Sequence, residues 1–258
     1  MLRPILLLLL LLSALFSAEP TLQEMQKEQR IALIIANGDY AAAPLTAAAN
    51  EGTMMRDFLR QHGFETLYYE NADRRTFIKA IREFALQCKP DGVALFYYFG
   101  HALQQDGINY LVPFEAPVLD GSRVRYETID LSNILGKLSK LPSRTAIALL
   151  DTPYGEPFGK QYRPEKPGLA PIKPQAKTSI FLAAQPGRKT AVGHFTTRFI
   201  QAVQTQGTSL KEGAKHLQES TRSWISVDPG VRFYFVLPAM LSKEMQMTPT
   251  ETPARSFG

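Results

Sequence analysis

Short, almost unbroken apolar runs of about seven residues recur along this chain, and that pattern narrows its fold more than any other feature. RIALIIA (30–36), GVALFYYF (92–99) and RTAIALL (144–150) carry too few polar positions to leave one strand face in water. Strands buried on both faces belong to a parallel sheet covered by helices on either side. The segments between the runs carry helical spacing instead of alternation. Residues 47–62 space Met54, Met55, Phe58 and Leu59 helically, with Gly63 as C-cap. Residues 74–88 turn Phe77, Ile81, Phe84 and Leu86 inward, with Asp73 placed to cap the start. Residues 130–141 put Leu131, Ile134, Leu135 and Leu138 on one face. ETLYYE (65–70), residues 178–184 and VRFYFVL (231–237) supply three more strands, with helices around 194–205 and 209–223 before the last. Asp106–Gly107 between residues 101–105 and 108–112 reads as a hairpin turn. The expected class is α/β: a three-layer sandwich with a mostly parallel six-stranded sheet, helices on both faces and a small β-hairpin.

The flanks read differently. Arg3 precedes an apolar stretch at residues 5–16 with an unbroken leucine run at 6–12. It is too short to cross about 30 Å of hydrocarbon and fits the core of a secretory signal peptide. Ala18 supplies one small residue for a cleavage site and Phe16 fails to supply the other, so two readings stand. Either residues 1–18 are removed and the protein is periplasmic or secreted, or residues 5–16 stay as a membrane anchor. Residues 19–29 then form a linker, 30–240 the folded domain and 241–258 a flexible tail. Six prolines between residues 152 and 177 mark an exposed loop.

Several chemistries are excluded. The single cysteine, Cys88, permits neither an internal disulfide nor a cysteine-based zinc site. It reads as a small buried residue at the end of the second helix. His62, His101, His194 and His216 show no i, i+4 pairing, so no metal is expected. His62 falls in the last turn of a helix, where a cation is favoured. The net charge of +5 comes without a dense basic run interleaved with aromatics, so no nucleic acid is expected. No GxGxxG, Walker-type loop or GxSxG elbow is present, and no nucleotide cofactor follows.

In a doubly wound sheet, chemistry sits beyond the carboxyl ends of the strands. The third strand exits into Gly100-His101-Ala102 and the fourth into Asp151-Thr152-Pro153. Here the chain resembles the caspase and metacaspase-like cysteine peptidases, especially their bacterial branch. Residues 30–37 with Tyr40 resemble the family's first strand and its exit, and residues 45–51 its Asn-Asp segment. Residues 94–101 are similar to its third strand and catalytic Gly-His-Gly, continued by Asp106-Gly107 and Asn109-Tyr110-Leu111. Residues 148–151 match the strand leading to its Asp-x-Cys, and residues 233–235 its last strand.

The resemblance implies His101 as the catalytic histidine and an acidic pocket for a substrate's arginine or lysine built from Glu51 and Asp151. It places the nucleophilic cysteine where this sequence has Pro153. Proline has no thiol, hydroxyl or ionisable atom and cannot form an acyl-enzyme. The leading expectation is an exported pseudopeptidase that binds or regulates basic peptide segments, with His101 vestigial. An active endopeptidase cutting after Arg or Lys with another nucleophile, Thr152 being the nearest, is the alternative. A membrane-tethered scaffold using the proline-rich loop is the second. Some metacaspases depend on calcium; no equivalent acid cluster stands out here, so no cofactor is expected and calcium stays open.

Overall fold

Five of the apolar runs lie side by side as parallel strands, and the order in which they do so locates the site. The computed structural model describes residues 22–117, 120–153, 155–159, 162–164, 166–189, 194–204 and 208–235. The signal-like segment and the tail fall outside these residues. A short helix α1 (Leu22–Lys27) leads into β1 (Arg30–Ala36), α2 (Ala48–Gln61), β2 (Phe64–Glu70), α3 (Arg74–Gln87) and β3 (Val93–Phe99). The hairpin β4 (Ala102–Gln105) and β5 (Ile108–Leu111) follows, then α4 (Val124–Glu127), β6 (Ile129–Asp130) and α5 (Leu131–Leu138). The chain continues through β7 (Thr145–Asp151), β8 (Thr178–Leu182), α6 (Phe195–Val203), α7 (Leu210–Ser220) and β9 (Trp224–Ser226).

The main sheet has six strands in the order β2-β1-β3-β7-β8-β9, and the last is antiparallel. β1 therefore pairs with β2 on one side and β3 on the other. The winding reverses between them, which leaves a crevice at their carboxyl ends. Every residue of β1, β3 and β7 is buried, as runs without polar alternation require. Leu95, Tyr97 and Leu149 pack with α2, α6 and α7, whereas Phe96, Tyr98 and Leu150 pack with α3 and α5. Each such side chain contributes about 1.5–3 kcal/mol by leaving water.

Local chemistry sets the element ends. Gly63 takes φ +79° after α2, the left-handed turn that a side chain resists. Asp73 accepts from Thr76 N at 2.7 Å and starts α3. Asp106 and Gly107 both hold positive φ, as a tight hairpin demands. The expected hairpin gains a third strand, β6, and becomes a small antiparallel sheet.

Four expectations are corrected. The last strand is Trp224–Ser226, not residues 231–237. Val231 to Phe235 makes one isolated bridge, Tyr234 to Ser209, and its backbone bonds go to the start of α7, Leu210 N to Phe233 O and Phe235 N to Thr208 O. Residues 236–237 lie outside the described set. Leu86 is 87% exposed instead of inward, since α3 ends one residue later and Cys88 is already extended. His62 is no solvated cation: it is buried between Phe58 and Phe235, and burial pushes its pKa down. The proline-rich segment is not wholly exposed, because Pro153, Phe158, Leu169 and Ala170 are buried against the strand exits.

Candidate active site

The crevice is held open by an asparagine and two tyrosines. Asn37, the first residue after β1, donates its backbone N–H to Phe99 O at 2.8 Å and its side-chain amide to the carbonyls of Ala72 and Val112. Ala72 N–H returns a bond to Asn37 Oδ1 at 2.8 Å. One residue, through its backbone and its side chain, thus ties the exits of β1 and β3 to the segments after β2 and β5. Tyr40 OH donates to Val112 O at 2.8 Å, and Tyr98 OH reaches the carbonyls of His101 and Val112 at 2.8 and 2.9 Å. Gly100 lies so close to Tyr98 that a Cβ there would sit 2.5 Å from the hydroxyl, which fixes glycine before His101.

His101 is 1% exposed. Its Nε2 lies 2.7 Å from Ala43 O, an atom that only accepts, so Nε2 carries the proton. Nδ1 then presents a lone pair, and it faces the carbonyl of Pro153 without closing a hydrogen bond. Burial lowers the imidazole pKa, and the Ala43 and Pro153 carbonyls offset part of this. At neutral pH the ring is neutral. Its basic nitrogen points at the position where the resemblance places a nucleophile, but both groups at its nitrogens are carbonyls, not hydroxyls. Gly155 covers the ring: a Cβ on it would lie 2.2 Å from His101 Cε1. The segment after β7 is thus a roof on the imidazole, clamped further along by the Glu156–Arg163 ion pair at 3.1 Å. Cys88 is remote from this end. It lies before the start of β3, buried, with Sγ donating to Phe84 O at 3.2 Å, as expected of a small core residue.

Asp151 ends β7 and is completely buried. Thr196, in the first turn of α6, donates Oγ1–H to Asp151 Oδ2 at 3.0 Å and accepts from Tyr97 OH at 2.7 Å. Glu51, in the first turn of α2, is 4% exposed and reaches the same threonine hydroxyl. Gly52 lets α2 come this close, because a Cβ there would strike Ala36 Cβ at 2.6 Å. Glu51 and Asp151, 100 positions apart in the chain, therefore meet across Thr196. A hydroxyl has one proton to give, so it cannot satisfy both carboxylates. Glu51 Oε2 and Asp151 Oδ1 are buried without a partner. Burial, with Glu51 nearby, raises the pKa of Asp151 to about 7, and burial also raises that of Glu51. Burial thus disfavours the ionised form of both carboxyls, and the Glu51 charge adds to this at Asp151.

This is a base aimed at a strand exit beside a buried acid pair, on a five-strand parallel run with one antiparallel edge. The sequence match decides what it is: the caspase domain of peptidase C14 matches residues 29–225. The chain belongs to the caspase domain family. Among curated proteins, none matches the sequence. Three solved structures share the caspase-like fold. A structural-genomics protein of Geobacter sulfurreducens superposes with TM-score 0.59 at 15% identity, covering 81% of this chain and 99% of its own. The Drosophila initiator caspase Dronc gives 0.57 at 10% identity, covering 85% of each. Caspase-1 from Spodoptera frugiperda gives 0.56 at 12%, covering 78% of this chain and 86% of its own.

Within this caspase domain, Thr196, Tyr97 and the Gly155 roof were not found by sequence reasoning. Thr196 follows 45 positions after Asp151 with no local motif around it, and Tyr97 reads as one more core aromatic. Among the described residues no group of three or more His, Cys, Asp or Glu could hold a metal ion. No helix among them is long and apolar enough to cross a membrane.

Proposed function

We propose that this caspase domain no longer cleaves peptides and instead binds arginine- or lysine-bearing segments through Glu51 and Asp151. The observation that carries the reading is the pair of buried carboxyl oxygens, Glu51 Oε2 and Asp151 Oδ1, left without donors beside a proline at the nucleophile position. A guanidinium offers the donors that both atoms lack, and charge-assisted bonds of this kind are the strong ones. Entry requires the Thr196–Asp151 bond at the start of α6 to yield, since Asp151 has no exposed surface. Pro153 supports loss of cleavage, because it supplies no group for His101 to deprotonate. The apolar stretch at residues 5–16 supports export, and N-terminal sequencing of the mature protein beginning near residue 19 would bear that out.

The test is twofold. Isothermal titration of Arg- and Lys-terminated peptides is expected to show binding that falls about tenfold or more in the double variant Glu51→Gln/Asp151→Asn. Unchanged affinity removes the acid pair from the reading. Turnover of the same peptides that disappears in His101→Ala would overturn the loss of cleavage and favour the active endopeptidase.

A further inference from the structure

Helix α3 carries its cations on an exposed face. Arg74, Arg75, Lys79 and Arg82 line a cavity of about 720 Å³ whose floor is Ile78 and the half-buried Phe114. None of the four makes a salt bridge to an acid among the described residues. Of the three acids at this cavity, Asp73 caps α3 through Thr76 N, and Glu127 pairs with Arg123. Asp73 keeps its charge, favoured by the Thr76 bonds and by Arg75, so with Glu115 two acids still stand opposite the four cations. Arg75, Lys79, Arg82 and Leu86 follow at steps of four, three and four, so the exposed leucine extends the same face.

The cavity does not end there. A second one of about 340 Å³ shares Phe114, Glu115, Ala116 and Pro117 with it and continues to Tyr40, Ala42 and Phe158, beside the roof over His101. Together they make a trough from the basic face to the crevice. In the first cavity an apolar floor beside a surplus of cations fits carboxylate side chains alternating with apolar ones, while the second, lined by Asp39 and Glu115 and by no cation, offers its apolar floor alone. A lipid surface, being flat, would touch only the exposed arms and leave the floor empty.

We propose that this trough docks an extended acidic segment of a partner protein, its carboxylates on the α3 cations and an apolar residue on Phe114. The proposal is independent of the Glu51–Asp151 reading and concerns the opposite charge. Its test uses the full chain and a fluorescein-labelled peptide alternating glutamate with phenylalanine, followed by anisotropy at low salt. Arg75→Glu/Lys79→Glu/Arg82→Glu is expected to weaken binding tenfold or more, and Phe114→Ala to weaken it less. Lys211→Glu/Lys215→Glu/Arg222→Glu, the same charge change on α7 and the turn after it, is expected to leave binding as it was. Equal losses in the two charge variants, or none in the first, would overturn the proposal. So would sedimentation with phosphatidylserine vesicles that depends on the α3 cations while the peptide fails to bind.

Discussion

At Asp151 a carboxyl group has been placed where ionising it is costly. Its folded pKa, about 7, lies above the ordinary aspartate value of 3.8 because burial dominates. The folded state therefore holds a proton that the unfolded chain releases between those two values, and stability falls as pH rises through that window. Asp151→Asn keeps an oxygen for Thr196 and removes the charge. It is expected to raise the melting temperature at pH 8 and to change it little at pH 4, a comparison that calorimetry makes directly. Gly155 is the second position where one atom matters. Gly155→Val puts a Cβ into the space of His101 Cε1, so the roof must lift, at about 1–3 kcal/mol. The imidazole then meets water and its pKa moves up toward the ordinary value, which NMR titration of its ring proton would follow. An unshifted titration would mean that the roof does not shield the ring.

At the scale of elements, caps and aromatic packing make separable contributions. Ser209 and Glu212 form a reciprocal capping box at the start of α7. Ser209→Ala is expected to cost about 1 kcal/mol in denaturant unfolding. Phe199, fully buried on α6, packs edge-on against Phe181 of β8 and Phe235. Phe199→Ala should cost about 3–5 kcal/mol by the same measurement, and because α6 carries Thr196 it should also loosen the acid pair. The central strands were legible because burial on both faces leaves a continuous apolar run that few other elements produce. Residues 231–237 have the same composition for another reason: Phe233 and Phe235 fill the core while their backbone bonds run to the start of α7, and a list of side chains does not record where backbone bonds go. β9, with three residues, is too short to announce itself. Within the site, His101, Glu51 and Asp151 were legible as a family pattern. Their shared dependence on Thr196 was not, because that contact exists only once α6 is laid across the end of β7.

The molecule as a whole is closed at its other end by a buried charge cluster. Glu28, just before β1, pairs with Arg30 at 3.1 Å and with Arg144 next to β7. Arg30 also donates to His62 O at 3.0 Å and lies over the Phe233 ring. One carboxylate thus joins the segment before β1, the entry to β7 and the end of α2. Glu28→Gln leaves Arg30 buried without its counter-ion, and unfolding should become easier by about 3 kcal/mol. Gln29 bonds to Gln87 O and receives Lys89 N–H, so the folded unit begins ahead of β1.

The antiparallel edge of the main sheet has a spectroscopic consequence. The chain has one tryptophan, Trp224, and it stands on β9, half-buried opposite Leu182. Indole emission therefore senses a single place, the seam where the last strand meets β8, while circular dichroism senses every helix and strand at once. During unfolding, a red shift that runs ahead of the dichroic change would show the sheet unzipping from that seam inward, and coincident curves would show the whole sheet letting go together.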